Sequence, residues 1–229
     1  MKSNLSKYST RFRDLDPAAA DRAQASLERR LEGFRLSLDL TNILPWIKGP
    51  DVLDFPVGTG RFYPNLLGRY NVFGYDIAGE YIRRAKIQNP EIADNFWECS
   101  FEDIRKNRLF DSIVTLRTLN NIDDTEVAIR HAASILKPAA RWIFNYPPSG
   151  ARYHDLREML SRHGLRVIRE KQYDFHAGKV RDSILSQRIY GYYVRLIEVG
   201  LVPYVVFRVV DCIFASRGTR LFVCEKSTS

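Results

Sequence analysis

The sequence predicts an α/β protein: a doubly wound, mainly parallel seven-stranded sheet with an N-terminal helical layer and a helical insertion between strands six and seven. Three observations carry this prediction. From residue 51 onward short apolar runs alternate with amphipathic segments, the pattern of parallel strands joined by crossover helices. The first run, "VLDFPVGTGR" at 52–61, ends in an acid and breaks at once into a loop with two glycines. No repeat, low-complexity tract or linker interrupts the 229 residues, and with 45% of them hydrophobic they read as one domain with a substantial core.

Taken in order, "PAAADRAQASLERRLEGFRLSLDLTNILPWI" sets Leu27, Leu31, Phe34, Leu38 and Ile43 at mostly helical spacing among charges, which gives a helical cap over 1–49. "DVLDF" reads as a buried strand, "FYPNLLGRY" as a helix, "NVFGYD" as the second strand and "GEYIRRAKIQN" as a helix closed by Pro90. "NFWECSF" and "FDSIVTLR" are the third and fourth strands, "DDTEVAIRHAASILKP" a helix opened by an acidic cap, and "RWIFNYP" the fifth strand. "YHDLREMLSRHG" is a helix ending at a glycine C-cap before the strand "LRVIREKQYDF", and "TRLFVCEK" is the last strand. The core then spans 50–175, the insertion 176–218 and the final strand 219–229.

Charge and cysteine usage bound the function. A net charge of +8 and a pI near 9.5 favour an anionic partner, whether nucleic acid, lipid headgroups or a small substrate; a solubilising surface explains them equally, because Lys and Arg are spread along the whole chain. Cys99, Cys212 and Cys224 have no metal-knuckle or redox-pair spacing, so no metal is expected and the thiols read as free in a reducing compartment. The N-terminus has no apolar signal region, and no stretch reaches the roughly 18 apolar residues of a membrane span, so the expected location is cytoplasmic, with peripheral membrane contact open.

The loop after the first strand points to a nucleotide-like ligand, since such ligands sit beyond the carboxyl ends of parallel strands where glycines let them approach the backbone. Gly58 and Gly60 are placed for that, but Tyr63 stands where a dinucleotide fingerprint has its third glycine. Asp54 has no obvious work beside a pyrophosphate, yet suits a ligand with a positive charge or an ammonium group. S-adenosylmethionine has both. Asp76, about twenty residues on at the end of the second strand, can accept hydrogen bonds from two ribose hydroxyls. An ordinary glycine turn with a helix-capping aspartate is the competing account.

Over residues 50–146 the chain resembles the class I S-adenosylmethionine-dependent methyltransferases. "VLDFPVGTGR" looks like the family's first motif, with Asp54 toward the methionine end and the turn through Pro56, Gly58 and Gly60 under the cofactor; "FGYDIAGEYIRRAK" resembles the second, with Asp76 as ribose ligand and Ile77 beside it. "CSFEDI" is similar to the third, which places Ser100 at a usually acidic position and the backbone and side chain of Phe101 against the adenine. "FDSIVTLRTLNNIDDTEVAIRHAASILKPAARWIF" looks like the fourth and fifth. Two departures stand out: Pro56 occupies the first glycine position of the loop, where it stiffens the turn, and Asn120-Asn121 sit where many relatives carry histidines.

The resemblance implies direct displacement at the cofactor's methyl group, with orientation as the main task. If the acceptor must lose a proton, His154, after strand five, is the best-placed base; an exposed helix-start histidine without a role is the alternative. Arg117, leaving strand four, could hold the cofactor's carboxylate or an anionic group of the substrate, against a salt bridge as the competing role. In "KYSTRFRDL", Tyr8 and Arg11 fit a lid over the cofactor, or a frayed terminus. The segment between strands six and seven is too long for a structureless loop, and Pro203 splits it. Its second part presents Val205, Val206, Val209, Val210, Ile213 and Phe214 opposite Arg208 and Asp211, either as a helical pair packed on the domain or as a lid for a lipid-like acceptor or membrane surface.

The expected function is methyl transfer, at oxygen, to a small-molecule or lipid- or saccharide-linked metabolite. A nucleic-acid methyltransferase is the alternative favoured by charge, with "NYPP" at 145–148 only faintly like the motif it would need. A non-catalytic membrane-associated protein that keeps the fold is the third reading, supported only by Pro56.

Overall fold

The computed structural model describes residue 18 and residues 30–104, 108–122, 124–148, 152–174, 192, 195–197, 199–206, 209 and 219–228. Seven strands form one sheet: β1 Asp51–Asp54, β2 Asn71–Asp76, β3 Phe96–Glu98, β4 Phe110–Thr115, β5 Leu136–Tyr146, β6 Leu165–Asp174 and β7 Thr219–Lys226. The described helices are α1 Arg30–Ile43, α2 Tyr63–Leu66, α3 Gly79–Gln88, α4 Thr125–Ile135 and α5 Leu156–Arg162. The strand order is β3-β2-β1-β4-β5-β7-β6, with β7 antiparallel to both neighbours and the other pairings parallel. The order therefore reverses between β1 and β4, and the carboxyl ends of those two strands border the crevice in which an open α/β sheet binds its ligand.

The expected strands are present where the apolar runs placed them, because both faces of the sheet are covered and each run buries on both. Val52, Leu53, Ile113, Val114, Ile143, Phe144 and Val223 are all buried. Trp142 and Phe144 pack at 4.4 Å, Phe144 stacks on Phe222 at 5.2 Å, and the Trp142 indole donates to Thr115 Oγ1 at 3.0 Å. Asp124 caps α4 by accepting from the backbone N–H groups of Glu126 and Val127, and Gly164 closes α5 at φ +71°, both as their residue types require.

Three elements differ from their expected bounds. The helix expected over 62–70 is a single turn, α2, because the chain leaves helical geometry at Leu67 and turns through Gly68 at φ +78°. The third strand is only Phe96–Glu98: from Ser100 the chain folds into a 3-10 turn over Phe101–Asp103. Strand β5 begins at Leu136, where a helix end was expected. Leu136 pairs with Phe110 and Arg141 with Ser112, so β5 carries extra residues there, and Pro138, which has no N–H for the ladder, sits in that irregularity next to Ala139 at φ +57°.

The helical layer is represented by α1, whose stripe Leu38, Asp39, Asn42 and Ile43 is buried. Of the insertion, the described part around 196–204 packs on α1: Leu38, Ile197 and Val202 form a small apolar cluster, and Phe34 and Tyr204 meet at 5.4 Å. Half of the expected apolar stripe, Val210, Ile213 and Phe214, lies outside the described residues, as do Tyr8 and Arg11. Among the described residues no helix is long and apolar enough to cross a membrane, and Cys99 and Cys224 are free thiols.

The tightest fit near the crevice is at Gly74 in β2. A Cβ there would run into the Tyr63 hydroxyl and come within 2.8 Å of both the Phe96 ring and a Val57 methyl. Gly74→Ala is expected to cost about 1–3 kcal/mol, read as a melting temperature lower by about 2–4 °C per kcal/mol, with part of the loss recovered by adding Tyr63→Phe.

Candidate cofactor site

The site grows from the ends of β1 and β2. Beyond Asp54 the chain is held between its neighbours: the Phe55 N–H donates to Val114 O at 2.9 Å and the Val57 N–H to Tyr75 O at 3.0 Å. Pro56, whose ring fixes φ, lies between these two anchors. The loop then turns through Gly58 at φ +55° and Gly60 at φ +80°, a region that residues with a Cβ rarely adopt. Among the described residues a Cβ at Gly58 would have nothing within 4 Å, so the backbone there is uncovered by them, while at Gly60 it would meet Asn89 Nδ2 at 2.8 Å. Gly58 is thus bare on the outside and Gly60 is packed on the inside.

Asp76 ties the loop to β2. Its Oδ2 accepts the Gly58 N–H and its Oδ1 the Ala78 N–H, both at 2.9 Å, and the Ile77 N–H adds a third backbone contact. Burial pushes its carboxyl up to about 6 despite these three donors. Each carboxylate oxygen can accept more than one hydrogen bond, so this anchoring leaves acceptor capacity for ribose hydroxyls. Asp54 is also buried, and its Oδ2 has no hydrogen-bond partner among the described residues. Desolvation raises its carboxyl well above the usual carboxylate range, and Asp76 and Asp39 reinforce this while Arg61 opposes it. An orphaned buried acid beside an open glycine backbone fits a ligand that brings a cation.

Arg117 carries a carboxylate, and it is the protein's own. Its guanidinium makes a two-pronged pair with Asp39 of α1, Nη1 to Oδ2 at 2.7 Å and Nη2 to Oδ1 at 2.8 Å. The same Asp39, fully buried, accepts from Arg61 Nη2 at 2.7 Å and from the Tyr173 hydroxyl of β6. Arg117 stands at φ +60°, uncommon for a residue with a side chain, and its N–H donates to Asn145 Oδ1. The salt-bridge account of Arg117 therefore describes its guanidinium, in a buried and not a surface setting.

The remaining expected residues separate. Ser100 is buried and donates to Asp103 Oδ2 at 2.6 Å, a local bond that closes the 3-10 turn. The Phe101 ring packs against Phe55 at 4.6 Å and His131 at 5.3 Å inside the core, which corrects the expectation of a ring on the adenine and leaves the backbone of that turn as the surface on offer. His154 is exposed, edge-on to Tyr153 at 5.9 Å; Tyr153 bonds Glu170 of β6 and meets Phe222 of β7 at 6.4 Å. Because β7 is three strands along from β1, this neighbourhood lies on the order of 14 Å from Asp54 across the sheet. Asn120 and Asn121 are exposed in the turn after β4, with the Asn121 amide donating to Arg117 O at 3.1 Å.

Sequence reasoning missed Asp39, Arg61, Tyr63, Asn145 and Tyr173. For Asp39 a signal was present: an acid in the stripe 38, 39, 42, 43, on the side of the helix that the apolar residues commit to burial. Its partners are 22, 78 and 134 residues away and have no local signature.

The pKa of Asp76 sets a pH dependence. A carboxyl raised from 3.8 to about 6 binds a proton in the folded state that the unfolded chain gives up earlier, so its contribution is complete below pH 3.8 and is lost as the pH rises through about 6. Without ligand, the melting temperature should fall as the pH is raised from about 4 to about 7, a change of up to about 3 kcal/mol from this group, and the slope should flatten in Asp76→Asn.

Residues 28–180 match the family model described as a methyltransferase domain. No curated protein matches the chain in sequence. Among solved structures, a TehB-like methyltransferase from Corynebacterium glutamicum is 16% identical, covering 93% of this chain and 100% of that one at a TM-score of 0.62. The putative methyltransferase solved with the Trm112 activator of Haloferax volcanii is 18% identical over 94% and 97% of the two chains, also at 0.62. The N-methyltransferase NodS of Bradyrhizobium japonicum, solved with S-adenosyl-L-homocysteine, is 14% identical over 99% and 100%, at 0.54. With two thirds of its length matched by the family model, and with the glycine turn, the orphaned Asp54 and the loop-anchoring Asp76 at the ends of neighbouring strands, the chain belongs to the class I S-adenosylmethionine-dependent methyltransferases.

Proposed function

We propose that the enzyme transfers a methyl group to an oxygen of a small-molecule or lipid- or saccharide-linked metabolite. The cofactor supplies an electrophilic methyl group on a positively charged sulfur. The observation that carries the cofactor side is the unpartnered Oδ2 of Asp54 next to the bare backbone of Gly58. Asp54 would face the ammonium end, Gly58 and Gly60 would let the ligand lie against the loop, Asp76 with Ile77 would hold the ribose, and the backbone of Ser100 and Phe101 would border the base. Because positive charge disperses as the methyl group leaves, these residues contribute by orienting the reactants and excluding water and not by acid catalysis.

The acceptor reading rests on exposed apolar side chains of the segment before β7. Val199, Leu201 and Val205 are 68%, 71% and 70% exposed on the segment that packs against α1, and they favour an acceptor with an apolar part or a site resting at an anionic membrane surface. A hydroxyl acceptor must lose its proton, and the exposed imidazole of His154 is proposed to take it.

The cofactor side is tested by calorimetry: Asp76→Ala should lose about 1.5–3 kcal/mol of S-adenosylhomocysteine affinity, the range for a hydrogen bond to a charged group, and unchanged affinity would remove Asp76 from the site. The acceptor side is tested by incubating the enzyme with labelled cofactor and a library of hydroxylated amphiphiles and glycosides. Labelled methyl ethers are expected, with His154→Ala slowing their formation by about 10²- to 10⁴-fold at unchanged cofactor affinity. Label appearing in DNA or RNA instead would transfer the assignment to nucleic acid.

A further inference from the structure

Asp54 has a nearby cation and does not use it. Arg61 lies close enough to Asp54 to act on its ionisation, yet the Arg61 guanidinium donates to Asp39 Oδ2 at 2.7 Å, and Asp54 Oδ2 is left without a hydrogen-bond partner among the described residues. An arginine beside a buried, unpaired carboxylate would ordinarily close on it, since leaving a buried acid unpaired is costly. Asp39 prevents this because it is itself fixed from two other sides: Arg117 grips both of its oxygens, and the Tyr173 hydroxyl donates to Oδ1. The charges around the crevice thus alternate, Asp54, Arg61, Asp39, Arg117, with Asp39 fully buried between the two cations.

We propose that Asp39 is a positioning residue: by holding Arg61 it keeps that guanidinium off Asp54 and so reserves the second carboxylate oxygen of Asp54 for the ammonium group of the cofactor. The proposal rests on the assignment of Asp54 to that ammonium. It gives α1, which lies outside the four motif segments, a direct part in cofactor binding: the helix supplies the anion that competes for Arg61. It also accounts for Arg117 at φ +60°, a backbone geometry that surroundings must impose, here through Asn145 and the two-pronged grip on Asp39.

The test is calorimetric titration with S-adenosylhomocysteine, which needs no acceptor. Asp39→Asn keeps the side-chain shape but removes the charge that Arg61 pairs with, and binding should weaken by about tenfold or more; adding Arg61→Gln should restore it to within about threefold of wild type. A role of Asp39 in packing alone would not be rescued by deleting a second member of the cluster. Wild-type affinity in Asp39→Asn, or a loss that persists in the double variant, overturns the proposal. Arg61→Gln alone keeps the question open to measurement even if Asp39→Asn does not fold: affinity within about threefold of wild type is expected, and a loss of tenfold or more would mean that Arg61 touches the ligand, which also overturns it. Asp54→Asn separates the two levels. If it binds as wild type, the assignment of Asp54 fails and the proposal with it; if it loses binding while Asp39→Asn does not, the proposal alone fails.

Discussion

The buried carboxylate of Asp39 is the contact on which the arrangement at the sheet's edge depends. A charge taken out of water needs partners on every side, and Asp39 finds them on three separate elements: Arg61 after β1, Arg117 after β4 and Tyr173 near the end of β6. One side chain therefore fastens α1 across the reversal point of the sheet, where no backbone ladder could do so. Removing one member of a buried ion pair typically costs about 3–5 kcal/mol, because the survivor is left unpaired. The cluster is correspondingly intolerant of piecemeal change, and it fixes both where α1 lies and how the two arginines point.

The glycine loop is held on a similar logic, with backbone donors in place of cations. Asp76 collects the N–H groups of Gly58, Ile77 and Ala78, so the second strand and the loop after the first are tied into one unit before any ligand arrives. Preorganisation of this kind spares the ligand the cost of ordering the loop. Asp54 is the counterpart left unsatisfied. A buried acid with an idle oxygen is tolerated at a binding site because the ligand completes it. The edge of the sheet thus combines one acid whose bonding is internal with another that has an oxygen unpaired among the described residues.

Much of the fold was legible in the sequence because it follows from local patterns. "NVFGYD" and "TRLFVCEK" are strands to the residue, since both are short β-rich runs bounded by turn residues, and Asp124 and Gly164 cap their helices as their types demand. The start of β5 was not legible. Leu136 and Lys137 look like the end of a helix, and only pairing with Phe110 draws them into the sheet. The Phe101 ring illustrates the same limit within the site: the motif position indicated a neighbour of the base, but the core hollow between Phe55 and His131 claimed the side chain.

By itself the sequence determined the order of strands and helices, the turn at Gly58 and Gly60 and the placing of Asp54 and Asp76 at neighbouring strand ends, because these depend on periodicity, on residues that tolerate positive φ and on separations of about twenty residues. The tertiary structure alone decided which cation each acid receives. Asp39, Arg61, Arg117 and Tyr173 are dispersed over more than a hundred residues, and hydrogen bonds and ion pairs act over a few ångströms of space with no regard for sequence separation. Which carboxylate engages the two arginines and which keeps an oxygen unpaired is therefore fixed only when α1 comes down on the edge of the sheet.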